Sequence, residues 1–159
     1  MGVKVYVETS VVSYYTARPN RDVVIAGHQQ ATQDFWTRLG RDFEPFVSAV
    51  VLAESGRGDA EQAEKRLQAI RLFRVLQITP EAEGLARQII AGGGIPPEYP
   101  EDSLHIALAA MGGVDFLATW NFAHINNPFT HMMIRQIVEN EGYACPEIVS
   151  PDELLGEET

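Results

Sequence analysis

The chain has 159 residues, 45% of them apolar, with 12 Lys plus Arg against 22 Asp plus Glu and a formal charge of −10. That length is ordinary for one domain and too short for two well-packed ones, and the lone Cys145 excludes an internal disulfide or a cysteine-rich metal site. The acidic balance speaks against a surface that holds nucleic acid by neutralising phosphates, so a polyanion would need bound cations or a local basic patch.

The elements follow in chain order. Val3, Val5 and Val7 alternate with Lys4 and Tyr6, the period of a strand over residues 2–7. Glu8-Thr-Ser and a β-branched, aromatic stretch lead through Tyr15 to an Arg18-Pro-Asn-Arg turn, and a helix is expected from about 22 to 39, closed by Gly40. Phe46-Val-Ser-Ala-Val-Val reads as a strand passing into a short helix that carries Glu54. Asp59 can cap a helix from 60 to about 71, Phe73 to Ile78 reads as a strand, and Thr79-Pro80 opens a helix with Leu85, Ala86, Ile89 and Ile90 on one side.

Gly92-Gly-Gly terminates that helix; it lacks the Lys-Ser/Thr of a phosphate-binding loop and follows a helix instead of preceding one. After a proline-rich loop, Asp102 heads an alanine-rich helix whose Leu104, Ala107, Leu108 and Met111 share a face. A strand at 115–119, a helix from about 129 to 141 and a strand at 147–149 complete the alternation. Strands separated by helices argue a mostly parallel sheet with helices on both faces, in a single domain over 1–155 with a frayed acidic tail at 156–159. No run of about eighteen apolar residues and no signal-peptide pattern occurs, so a soluble, cytoplasmic protein is expected, without membrane association.

In such sheets ligands bind beyond the carboxyl ends of the strands. Glu8 follows the first strand directly, Asn121 follows the strand at 115–119, and Glu54 and Asp102 sit on helices that can reach the same edge. Carboxylates and amide oxygens gathered this way suit hard divalent cations such as Mg²⁺ or Mn²⁺, which can activate water against a phosphodiester. Taken one at a time these acids are equally well read as solvated caps. Asp115, at the start of its strand, is expected on the far side of the sheet. His105, about one turn after Asp102, could touch a metal or phosphate, but within an apolar helix it reads first as a half-buried packing or hydrogen-bonding residue, and His124 and His131 as loop or surface. Tyr14, Tyr15, Arg18 and Arg21 form an aromatic and arginine cluster that suits RNA, or, for the tyrosines, core packing.

Four segments carry a resemblance in a fixed order: Val5-Tyr-Val-Glu-Thr-Ser, Ser48-Ala-Val-Val-Leu-Ala-Glu, Asp102-Ser-Leu-His-Ile-Ala-Leu-Ala and Phe116-Leu-Ala-Thr-Trp-Asn. Together they resemble the four motifs of PIN-domain ribonucleases of the VapC toxin type. The resemblance implies a three-layer α/β/α sandwich and a metal-dependent endoribonuclease. It implies that Glu8, Glu54 and Asp102 hold Mg²⁺ or Mn²⁺, that Asn121 assists, and that Thr9 or Ser10 orients the first carboxylate. It further implies an RNA substrate with Arg18 and Arg21 as candidate contacts, a cognate antitoxin and a homodimer. Two positions depart from the family pattern: Glu8 stands where an aspartate is usual, and Asn121 lowers the charge of the site. A non-catalytic PIN-fold RNA-binding or interaction module is therefore the competing reading. A phosphoacceptor receiver is disfavoured, because no lysine follows Lys65.

Overall fold

Strand β1 (Val3–Val7) lies at the centre of a five-stranded sheet, and the computed structural model describes residues 2–156 of the chain. The order is β3-β2-β1-β4-β5, with β2 at Phe43–Ser48, β3 at Arg74–Leu76, β4 at Phe116–Ala118 and β5 at Glu147–Val149. Every pairing is parallel; Tyr6 stands beside Phe46 on one side and Leu117 on the other. Parallel strands need helical crossovers, and a sheet covered on both faces makes its inner strands continuously apolar. Val5, Tyr6 and Val7 are accordingly all inaccessible to solvent.

The helices form two layers. Helices α1 (Thr9–Thr16), α2 (Val23–Trp36), α3 (Ala49–Ser55) and α4 (Ala60–Ile70) serve the crossovers β1→β2→β3, whereas α5 (Pro80–Ala91), α6 (Pro100–Met111) and α7 (Pro128–Asn140) serve β3→β4→β5. With right-handed crossovers these sets fall on opposite faces, and the packing agrees: α1 touches α2, α3 and α4, while α5 touches α6 and α7. This is the expected three-layer α/β/α arrangement. The direction of winding reverses between β1 and β4, which opens a crevice beyond their carboxyl ends.

Several elements differ from the sequence reading. Residues 9–16 form a helix although Thr, Ser, Val and Tyr are mediocre helix formers. Tertiary burial of Val11 and Val12 and the cap supplied by Glu8 override that propensity. Helix α6 begins at Pro100 and carries Asp102 in its first turn as expected, but it is buried almost all round rather than along the expected single face. A 3₁₀ turn at Pro151–Leu155, capped by Ser150 and Glu153, closes the described chain. Of the tail expected to fray, residues 157–159 lie outside the described residues. The thiol of Cys145 is half-buried, and burial pushes it up to about 11, which makes it inert at neutral pH. No helix among the described residues is long and apolar enough to cross a membrane.

Candidate active site

Three carboxylates flank the crevice between β1 and β4, and each has one oxygen held by two donors. Glu8 is the N-cap of α1, directly after β1, and is 5% exposed. Its Oε1 accepts the hydroxyls of Ser10 at 2.5 Å and Thr119 at 2.6 Å, while Oε2 accepts only the Ser10 backbone N–H at 3.1 Å. Ser10 Oγ also accepts the Trp120 amide at 2.9 Å, so the turn after β4 is pinned to the start of α1.

Glu54 sits near the end of α3, whose first turn is capped by Ser48. Its Oε1 accepts Thr9 Oγ1 and His105 Nε2, both at 2.6 Å. Burial alone would raise the pKa of this carboxyl, but the hydrogen bond and charge of His105 outweigh it and hold Glu54 below the ordinary carboxylate range. For His105 the same opposition runs the other way. Its complete burial disfavours the charged ring, yet the Glu54 hydrogen bond and the charges of Glu8, Glu54 and Asp102 leave its pKa raised.

Asp102 completes the pattern. Its Oδ2 accepts Asn121 Nδ2 at 3.3 Å and His124 Nδ1 at 3.0 Å. The amide oxygen of Asn121 is turned to the backbone N–H of His124 at 3.0 Å, so Asn121 meets Asp102 as a donor. Tyr99 stacks on His124 with ring centroids 3.9 Å apart. Glu54 and Asp102 line one cavity of about 390 Å³ together with Glu98, Tyr99, Pro100 and Glu101.

Glu8, Glu54 and His105 each offer a ligand atom within 4.8 Å of the others; Asp102 lies outside that set. Glu8 and Glu54 are therefore together, with Asp102 on the adjoining wall. Thr9 and Ser10 are divided between them, Thr9 on Glu54 and Ser10 on Glu8. Among the described residues, Asp102 Oδ1 has no hydrogen-bond partner, Glu8 Oε2 keeps a free lone pair beside the Ser10 amide, and the Glu101 carboxyl lies close enough to Glu54 to share a hydrogen bond with it. Oxygen-rich donors with free lone pairs, converging where the sheet switches direction, fit a hard divalent cation.

Other expectations land elsewhere. Arg18 and Arg21 lie on the exposed loop after α1, separated from Glu8 by an eight-residue helix, about 12 Å of axial rise. Arg57 feels the charge of Glu54 and grips both oxygens of Glu101, a residue of the cavity lining, at 3.1 and 3.2 Å. Asp115 sits at the opposite, amino end of β4, where it accepts the Lys4 amide at 2.8 Å. His105, read from sequence as packing, bridges the two halves of the site. Its helix is apolar and alanine-rich, which hides a polar role; the one cue is its position three residues after Asp102, on the next turn. Thr119, Tyr6 and Ser48 gave no signal, because hydroxyls at strand ends are common.

No protein-family model and no curated protein matches the chain. Solved structures do match in fold. VapC20 of Mycobacterium tuberculosis, described as a sarcin-ricin loop cleaving toxin, superposes with a TM-score of 0.58 at 16% identity, over 88% of this chain and 96% of that one. A chain of VapBC2 from Rickettsia felis, solved bound to a DNA fragment from their promoter, gives a TM-score of 0.57 at 17% identity, over 79% and 94%. The shared property is the PIN-type α/β fold.

Proposed function

We propose that the chain is a metal-dependent endoribonuclease that hydrolyses RNA phosphodiester bonds, acting as the toxin of a type II toxin–antitoxin pair. The observation that carries this reading is the convergence of Glu8 and Glu54, with Asp102 on the adjoining wall, each carboxylate having one oxygen fixed by two side-chain donors. The fold shared with a sarcin-ricin loop cleaving toxin supports the substrate class, and the VapBC2 likeness supports an antitoxin partner.

In this reading Glu8, Glu54 and Asp102 hold Mg²⁺ or Mn²⁺, while Thr9, Ser10, Thr119, His105, Asn121 and His124 fix the carboxylates. A bound divalent cation supplies positive charge to the phosphate and lowers the pKa of water. Glu54, held below the ordinary carboxylate range, is a weak base and serves as an anchor rather than a proton acceptor. The overall reaction adds one water across a P–O bond: its oxygen joins phosphorus, and the departing alkoxide oxygen leaves with a proton. A homodimer and a cytoplasmic location belong to the same proposal.

The competing module reading, binding without cleavage, draws on the −10 charge and on Glu8 and Asn121, the two departures from the family pattern. Incubation of the full chain with structured RNA in Mn²⁺, Mg²⁺ or EDTA separates them. Cleavage confined to the metal-containing samples is expected; binding without cleavage in all three would establish the module instead.

A further inference from the structure

We propose that His105 is a positioning residue: its Nε2–H holds Glu54 in place, and the ring is itself aimed by a buried chain from Ser48 through Tyr6. Four contacts make this chain. Ser48 Oγ lies 2.7 Å from Tyr6 Oη, Tyr6 Oη lies 2.7 Å from His105 Nδ1, His105 Nε2 lies 2.6 Å from Glu54 Oε1, and Thr9 Oγ1 reaches the same oxygen. Ser48, Tyr6 and His105 are all inaccessible to solvent.

The proton inventory sets the direction. Glu54 Oε1 already accepts the Thr9 hydroxyl at 2.6 Å, so the second 2.6 Å contact to the same oxygen is one in which His105 Nε2–H donates. Burial and the nearby charges of Glu8 and Glu54 keep the Tyr6 phenol protonated, well above its ordinary pKa. Ser48 Oγ additionally accepts the amides of Val50 and Val51, so it caps α3 while touching Tyr6. Helix α3 thus begins at Ser48 and presents Glu54 near its other end, and the chain through β1 and α6 joins those two points. A buried imidazole needs hydrogen-bond partners, and backbone carbonyls would satisfy one present only for packing; here both ring nitrogens meet side chains instead, one of them the Glu54 carboxylate. The edge-on contact of the Tyr6 and His105 rings, 5.8 Å between centroids and 73° between planes, fixes the imidazole further.

For its functional consequence the assignment rests on the cation reading above; the hydrogen bond itself does not. In that reading Glu54 Oε2 faces the crevice only while Oε1 is held. Partners of metal-ligating groups typically change affinity by about 10–100-fold when removed.

The test combines imidazole ¹⁵N NMR of the ¹⁵N-labelled full chain with Mn²⁺ titration by calorimetry. The expected spectrum shows His105 Nε2 carrying a proton, with and without diamagnetic Mg²⁺. The expected isotherms show affinity falling about 10–100-fold in His105→Leu, largely restored in His105→Gln, whose amide places a donor near the same point, and falling less in Tyr6→Phe. Tyr6→Phe keeps the core shape, so it serves as the second variant if His105→Leu does not fold. An Nε2 without a proton, a Mg²⁺-dependent loss of that proton, or equal Mn²⁺ affinity in wild type and both His105→Leu and Tyr6→Phe would overturn the proposal. A wild type that takes up no Mn²⁺ would overturn the cation reading, while the Nε2 proton would still decide whether His105 holds Glu54.

Discussion

Thr119 Oγ1 donates to Glu8 Oε1 at 2.6 Å across 111 positions of sequence, tying the carboxyl end of β4 to that of β1. The same hydroxyl accepts the Asn121 backbone N–H at 2.9 Å, so one buried side chain connects the Glu8 and Asn121 arms of the site. Thr119→Val keeps the shape and removes both contacts. It is expected to cost about 1–3 kcal/mol, the penalty for stranding buried polar groups, and to weaken Mn²⁺ binding. Urea denaturation with an unchanged midpoint would contradict this.

The Glu54–His105 pair gives the metal-free protein a defined pH profile. The His105 pKa is raised above its ordinary 6.5, so its contribution to stability is complete below that value and is lost as pH rises through the folded pKa. The Glu54 pKa is lowered from 4.5, so its contribution is present above that value and is lost as pH falls through the folded pKa. Melting temperature in EDTA should therefore decline on the alkaline side of 6.5, and His105→Gln should flatten that decline. A wild-type alkaline profile identical to that of the variant would show that the ring does not titrate with the fold.

The glycine triplet after α5 serves packing. Gly93 has a φ of +83°, and a Cβ on Gly94 would meet Ile134 Cγ1 and Ile89 Cγ2, each at 2.9 Å. Overpacking of this kind costs about 1–3 kcal/mol. Gly94→Ala should lower the melting temperature while leaving Mn²⁺ affinity as it was; a loss of Mn²⁺ or RNA affinity at full stability would assign the triplet a binding role.

Electrostatics near the crevice point to Arg57. Its guanidinium, 62% exposed, already holds the Glu101 carboxylate at the cavity wall. Arg57→Ala should weaken RNA binding in Mn²⁺ and reduce the salt slope by about one, more than Arg18→Ala with Arg21→Ala does. EDTA should weaken all of them together. Arg57→Ala with wild-type affinity and salt dependence would remove this residue from the RNA interface.

Much of the fold was legible because its signals are local. Alternation marked β1, Asp59 and Thr79 announced helices they do cap, and the sheet's parallel order followed from the spacing of strands and helices. Helix α1 was not legible, since its residues disfavour a helix until Val11 and Val12 are buried. Glu8, Glu54 and Asp102 were legible by motif order. Of their holding groups, Ser10 was legible beside Glu8, whereas Thr119 and His124 reach Glu8 and Asp102 only through the fold, and Tyr6 and Ser48 stand behind His105 at separations such as 99 residues for Tyr6 and His105. Arg18 and Arg21 drew attention by closeness to Glu8 in sequence, a closeness that α1 undoes in space.

The account stands most directly on RNA cleavage by Asp102→Asn compared with wild type in Mn²⁺, with circular dichroism confirming the same fold. Asn is nearly the same shape as Asp, keeps an acceptor for Asn121 and His124, and deletes only the charge and one anionic oxygen. Wild type should cleave only with metal, and the variant should lose cleavage while melting within a few degrees of wild type. Cleavage by Asp102→Asn at the wild-type rate, or cleavage by wild type undiminished in EDTA, would contradict the account.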